Sequence, residues 1–320
     1  MLKYIVKRLL YLIPVIIGVV FIVFTLLYFA PGDPAYSALG DHASEADYEA
    51  YREEIGTNGT YLERLERYYK GLLKGDLGIS YFSKKPVAEE IANRFQRTFI
   101  LATTSFIVGT IIGILMGIIS AVMQYSVFDR FSTVFSLIGI STPTFATGFL
   151  FIIIFAVKLR VLPASGWGVD EHLVLPVLTL GLASVGMVMR ATRSSMLDAL
   201  KQDYITTAKA KGQTNFSVIF KHALRNALIP IITMCSLQYI NLLSGSYIAE
   251  SVFAIAGSGS YMVSALNKRN YVAVLGSVII LAIIAAVINL ITDILYTIID
   301  PRLRTEQLSK KSKKGSAANG

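Results

Sequence analysis

The sequence predicts an all-α polytopic membrane protein with six transmembrane helices. Three observations predict it. Hydrophobic residues make up 54% of the 320-residue chain and charged residues 16%, against the ~25% charged residues of an ordinary soluble domain. Six apolar runs come close to the ~20 residues that a helix needs to cross a bilayer. Basic residues collect in the segments that six crossings would leave on one side, the pattern of cytoplasmic loops.

The first run covers 9–29, behind Lys3, Lys7 and Arg8. It is long for the apolar core of a signal peptide, and Pro31-Gly32-Asp33-Pro34 follows it in place of a small-residue cleavage site. It is therefore expected to be an uncleaved helix starting in the cytoplasm, within a unit covering 1–30. The stretch 31–97 is the one sizeable polar insertion and is expected to be extracytoplasmic. Within it 46–55 and 61–73 read as short helices, the second with Leu62, Leu65, Tyr69, Leu72 and Leu73 on one face. Gly75-Asp76-Leu77-Gly78 breaks that pattern, and Pro86 can start a further short helix toward Phe95. The segment is too small for a deep core of its own, so it should cap the outer ends of the membrane helices.

A membrane core follows over 98–300, with runs at 98–123, 131–157, 173–189, 227–248 and 272–298, the run at 173–189 being the shortest. The loop 190–226 carries Arg190, Arg193, Lys201, Lys209, Lys211, Lys221 and Arg225 against Asp198 and Asp203. The tail 301–320 carries Arg302, Arg304, Lys310, Lys311, Lys313 and Lys314. Both fall on the cytoplasmic side of a six-crossing path. The net charge of +9 is thus mostly topology, which argues against a nucleic-acid partner.

Residues for chemistry are sparse. No GxxxxGK[ST] phosphate loop is present, since Gly257-Ser258-Gly259-Ser260 lacks the lysine and reads as a flexible outer loop. His42, His172 and His222 are far apart and form no HExxH pattern, so no metal site is expected. Ser258 or Ser260 with His172 would lack an orienting acid. Cys235, the one cysteine, has no partner for a disulfide and reads as a small core residue. Ion-coupled carriers place ionisable groups in mid-membrane, but Glu250 and Asp293 fall near run ends, where each can reach an interface or a bundle partner.

The loop 190–226 is the most informative stretch. Asp203-Tyr204-Ile205-Thr206-Thr207-Ala208-Lys209-Ala210-Lys211-Gly212 reads as a helix that Gly212 can end in a left-handed conformation. A second short helix over 215–224 would carry Phe216, Ile219 and Phe220. Two helices bent at a glycine make either a compact knob that a partner can approach or a plain amphipathic connector.

The paired alanines, the glycine and the Ile229-Pro230 at the next apolar run resemble the "EAA" loop of ABC importer permeases. The fuller strings, Tyr204 to Gly212 and His222-Ala223-Leu224-Arg225-Asn226-Ala227-Leu228-Ile229-Pro230, are similar to the dipeptide, oligopeptide and nickel branch. Thr207 stands where the named pattern has glutamate. Leu12-Ile13-Pro14, Pro31-Gly32-Asp33-Pro34-Ala35, Gly75-Asp76-Leu77-Gly78 with Ser80, Ser141-Thr142-Pro143-Thr144-Phe145, Leu162-Pro163-Ala164-Ser165-Gly166 and Asp300-Pro301-Arg302 resemble the same branch. The long segment after the first run resembles its first, B-type, permease.

The resemblance implies a type I importer fold in a bacterial or archaeal inner membrane, with both termini cytoplasmic. It implies a non-catalytic pore subunit that pairs with a second, homologous permease. Two ATP-binding subunits would hold ATP and magnesium, none being held by this chain, and an extracytoplasmic solute-binding protein would deliver a peptide or similar small solute. Tyr204, Thr207, Ala208, Ala210, Lys211 and Gly212 would form the contact with the ATPase. Pro143 should break a helical hydrogen bond. With Ser141, Thr142 and Thr144 it either exposes polar groups to the translocation path or makes a kink with packing hydroxyls. An ATP-independent secondary transporter or channel is the alternative; it predicts discontinuous helices around a charged site, a pattern not evident in the sequence.

Overall fold

The computed structural model describes residues 2–299; the basic tail and Asp300-Pro301-Arg302 lie outside them. The chain runs α1 (Leu2–Phe29), α2 (Pro34–Leu39), α3 (Glu45–Glu54), α4 (Tyr61–Leu73), α5 (Val87–Val122), α6 (Val127–Ser141) and α7 (Thr144–Phe151), which continues as a π-helical stretch, Ile152–Lys158. Then come α8 (Glu171–Leu200), α9 (Asp203–Ala210) and α10 (Asn215–Ser217). A π-helical turn, Val218–Ala223, leads into α11 (Leu224–Gly245), followed by α12 (Tyr247–Val252), α13 (Ser258–Asn267) and α14 (Tyr271–Ile299). Among the described residues five helices are long and apolar enough to cross a membrane, or six if the bent pair α6 and α7 is one span.

That bent pair is the third expected crossing, broken at the proline that the sequence marked. α6 has 15 residues, about 22 Å of helix, short of the ~30 Å hydrocarbon core. The chain turns by 105° between α6 and α7. Pro143 has no amide hydrogen to continue the helix, and its extended backbone (φ −59°, ψ 137°) starts α7 in a new direction.

α8 is the centre of the bundle because small residues let two helices approach it closely. Gly109, Gly113 and Gly117 recur every fourth residue and line one face of α5. They lie against Ser184, Val188 and Thr192, which recur at the same interval on α8. A Cβ on Gly117 would stand 2.6 Å from Thr192 Cβ and 2.8 Å from the Met189 carbonyl oxygen. Only a bare backbone fits, as at small-residue helix crossings in bilayers. On α8's other side, a Cβ on Gly186 would lie 2.7 Å from the Ser136 carbonyl oxygen, and one on Gly139 of α6 would lie 2.8 Å from that of Leu182.

The polar segment is more closely joined to the helices than a cap would be. The expected short helix after Pro86 is the first turns of α5, so a boundary at residue 97 falls inside one 36-residue helix. α4 lies alongside the end of α1: Thr25 and Tyr61 share a hydroxyl hydrogen bond of 2.8 Å, and Tyr69 donates to the Ile17 carbonyl at 2.8 Å. One apolar cluster joins Val20, Phe24 and Leu27 of α1, Leu65 of α4, Ile91 of α5 and Leu275 of α14. At α4's N-terminus the Thr60 amide donates to the Glu63 carboxylate at 2.8 Å, part of a capping box.

Candidate functional site

The loop between α8 and α11 folds as a knob with two different faces. Lys211 ends α9, Gly212 takes φ +75°, and its amide donates to the Lys209 carbonyl at 2.9 Å. The Gln213 amide reaches back to the Ala208 carbonyl at 3.2 Å. These two bonds make a Schellman ending, which needs a left-handed residue where Gly212 sits. The Thr214 hydroxyl then accepts from the Ser217 amide at 3.3 Å and starts α10. Gln213 Oε1 stands 2.6 Å from His222 Nε2 and 2.9 Å from the Ser217 hydroxyl, closing the bend. The second helix is not separate, as 215–224 suggested: it passes through the π turn straight into α11. Any push on the knob is therefore applied to a membrane helix directly.

The inner face of the knob is anchored. Ile205 and Ala208, one turn apart, are buried with Ile118 and Ala121 of α5, Met196 and Ala199 of α8, and Ala227 and Ile231 of α11. Of the six residues expected at a partner contact, Tyr204, Thr207, Ala210, Lys211 and Gly212 are exposed. Ala208 instead faces the chain's own core, because it shares the Ile205 side of α9. Phe216 and Phe220 add an exposed aromatic pair, ring centroids 4.6 Å apart, with Phe216 71% exposed. They were legible as residues of the second helix, but not as an exposed aromatic pair.

A polar staple stiffens the bundle one turn from this anchor. Asp129 of α6 is buried and accepts from Arg193 of α8 through Nε at 2.6 Å and Nη2 at 2.8 Å. The fork matches the carboxylate in both arms. The Ser120 hydroxyl of α5 donates to the same carboxylate, as does the Tyr125 amide at 2.9 Å. Three helices are thereby tied at one point. Asp129 and Arg193 are 64 residues apart, so no local pattern pairs them.

Ser141, Thr142, Pro143 and Thr144 form the break itself. Gly139, two residues before it, packs on Leu182 near the middle of α8, which puts the break at mid-depth. Ser141 and Pro143 are exposed and Thr142 and Thr144 partly so. The Thr142 hydroxyl donates to the Ile138 carbonyl at 2.7 Å. The Thr142 hydroxyl is thus satisfied within its own helix, while Ser141 leaves an exposed hydroxyl at the break.

The opposite end of the bundle has a latch instead of a flexible loop. Glu250 of α12 is fully buried; of the two alternatives its position left open, an interface or a bundle partner, the structure shows the bundle partner. Its carboxylate accepts from the Thr98 hydroxyl of α5 at 2.6 Å, the Ser246 hydroxyl at 3.0 Å and the Ser260 amide at 2.7 Å. Thr98 also accepts from the Ser258 amide at 2.8 Å. Gly259 packs so tightly that a Cβ would stand 2.9 Å from Tyr247 Cβ. The glycine-serine stretch is therefore the locked start of α13. A buried carboxylate is tolerated because each oxygen has a donor. Among the described residues no cluster of three or more histidine, cysteine or acidic side chains could hold a metal.

Residues 113–305 match the family described as "Binding-protein-dependent transport system inner membrane component", and residues 1–102 match its N-terminal companion. The chain is 40% identical over 304 residues to the glutathione transport system permease protein GsiC of Escherichia coli strain K12, covering 95% of this chain and 99% of that one. It is 41% identical, with the same coverage, to the protein of that name in Pectobacterium atrosepticum. Among solved structures it is similar in fold to an inward-facing conformation of the MetNI methionine ABC transporter. The TM-score is 0.55 at 17% identity, over 66% of this chain and 96% of that one.

Proposed function

The chain belongs to the family of inner membrane components of binding-protein-dependent transport systems, and on that premise we propose that its solute is a small peptide and that its knob carries the drive for transport. It is a pore-forming permease subunit of an ATP-driven importer in the inner membrane. The glutathione carried by its relatives' system is itself a peptide, which supports a peptide solute here. A second, homologous permease completes the pore. Two ATPase subunits bind the knobs from the cytoplasm, where both termini also lie, and an external binding protein delivers the solute. ATP and magnesium sit on the ATPases, and this chain contributes no catalytic group.

The observation that carries this reading is the two-faced knob: one side is buried among the ends of α5, α8 and α11, the other exposes Tyr204, Ala210, Phe216 and Phe220. A surface of that kind can seat in a partner and move the helices as one body. Closure of the ATPases then shifts the pore between two packed states, because they bind the knob in one state better than in the other. The hydroxyl-bearing break at Ser141 to Thr144 lies on the solute's route.

Reconstitution with its neighbouring operon products tests the proposal. Labelled dipeptides or tripeptides should enter vesicles only with ATP and the binding protein present. Transport of solute by this chain alone, without nucleotide, would overturn it.

A further inference from the structure

A cavity of ≈ 500 Å³ lies between α1, α4, the turn around Gly78 and the first residues of α14. Its size is that of a small-molecule site. Its walls have three kinds of surface. Phe24 and Leu27 of α1 and Leu275 of α14 are apolar. Arg64 of α4 lies over the Tyr28 ring, 5.0 Å from its centroid, and among the described residues no carboxylate is within ion-pair distance of it. The Tyr68 hydroxyl is buried and has no hydrogen-bond partner. Burial also pushes its pKa above the usual tyrosine range, so it remains a neutral donor. Asp76 belongs to the same lining, where one of its oxygens accepts from the Gly78 amide at 2.8 Å; the other acid there, Glu54, is already paired with Lys84 at 2.7 Å.

The height of the cavity says what can fill it. The apolar span of α1, Leu10–Phe29, is about 30 Å long, and Phe24, Leu27 and Tyr28 are at its end. Residues there stand at the boundary of hydrocarbon and headgroups, and the tyrosines around the cavity belong to that zone. An unpaired guanidinium and an orphan hydroxyl at that height call for an acceptor with several oxygens, and the phosphodiester is the anion abundant there. Asp76 in the same lining suits a cation on the same molecule.

We propose that this cavity binds the headgroup of a zwitterionic phospholipid, with the phosphodiester on Arg64 and Tyr68 and the ammonium toward Asp76. The acyl chains leave along the exposed side of α1, where Phe21, Ile22 and Leu26 face outward. The site is separate from the knob and from the break at Pro143, and it gives the N-terminal segment a fixed seat on the bilayer.

Native mass spectrometry of the intact complex, released from nanodiscs of equal phosphatidylethanolamine and phosphatidylglycerol, tests it. One phosphatidylethanolamine should stay bound after detergent stripping. Arg64→Gln should lower its retention at least tenfold, and Tyr68→Phe, which keeps the ring, severalfold. Asp76→Asn keeps the Gly78 cap and should erase the preference for ethanolamine over glycerol without loss of phospholipid. Inorganic phosphate at millimolar concentration should not displace the lipid; displacement would mean that a free anion is the ligand and would overturn the proposal. Equal retention in the parent, Arg64→Gln and Tyr68→Phe proteins would overturn it as well. So would loss of the binding protein, without loss of lipid, from the Arg64→Gln and Tyr68→Phe complexes, since the cavity would then be a protein contact.

Discussion

Removing the Arg193 side chain should loosen the knob's anchor, and the size of the effect follows from the staple's geometry. Asp129 accepts two arms of the guanidinium at 2.6 and 2.8 Å and is itself buried. Arg193→Ala leaves that carboxylate with the Ser120 hydroxyl and the Tyr125 amide only. Stripping one partner from a buried pair costs about 3–5 kcal/mol. Arg193 is 26% exposed, so water softens the loss and about 3 kcal/mol is expected at this site. Adding Asp129→Asn should recover part of it, because no charge is then left unpaired. The chain supplies its own probe in Cys235, which is partly buried beside the knob's apolar cluster. Labelling by a maleimide dye that waits for local opening should rise about a hundredfold in Arg193→Ala, the factor that ~3 kcal/mol corresponds to. It should rise less in the double variant. A labelling rate equal to that of the parent would refute the argument that the staple holds these three helices together.

Other consequences follow from the same contacts. Gly117→Val should abolish correct folding, since even a Cβ would meet Thr192 and the Met189 carbonyl oxygen; overpacking of this kind costs about 1–3 kcal/mol or more, read as loss of monodisperse protein. Ala208→Leu should lower the melting temperature of the isolated chain, because its side chain is buried, whereas Ala210→Leu should leave it unchanged and weaken co-purification of the ATPase. Glu250→Ala strands the Thr98 hydroxyl and the Ser260 amide, at about 1–3 kcal/mol for each unsatisfied group. Protease cleavage between α12 and α13 should become faster, and Glu250→Gln, which keeps an acceptor, should show a smaller change.

The membrane runs were legible because burial in lipid needs about twenty apolar residues in a row, whatever their neighbours. The start of α5 was legible at Pro86 but its continuity into the membrane run was not, since Glu89, Glu90, Arg94 and Arg97 make its first turns polar. Pro143 was legible as a break, but the 105° turn depends on how Gly139 and Gly186 seat α6 on α8. The ladder of Gly109, Gly113 and Gly117 could have been read from its spacing of four, a known sign of close helix crossing. So could the inward side of α9, because Ile205 and Ala208 are three apart. The staple and the Glu250 latch could not, as their partners lie 64 and 152 residues away.

The claim at the centre of this account is that the knob passes the ATPase's motion to the pore, and Gly212 tests it most directly. Its φ of +75° is one that other residues enter at a cost of about 1–2 kcal/mol, yet a Cβ there would meet nothing within 4 Å. Gly212→Leu therefore strains the turn without a clash. ATP hydrolysis and solute uptake would be measured together in vesicles holding the whole complex. The account predicts that Gly212→Leu assembles and hydrolyses ATP but carries at least tenfold less solute per ATP. A parental ratio of uptake to hydrolysis would contradict it.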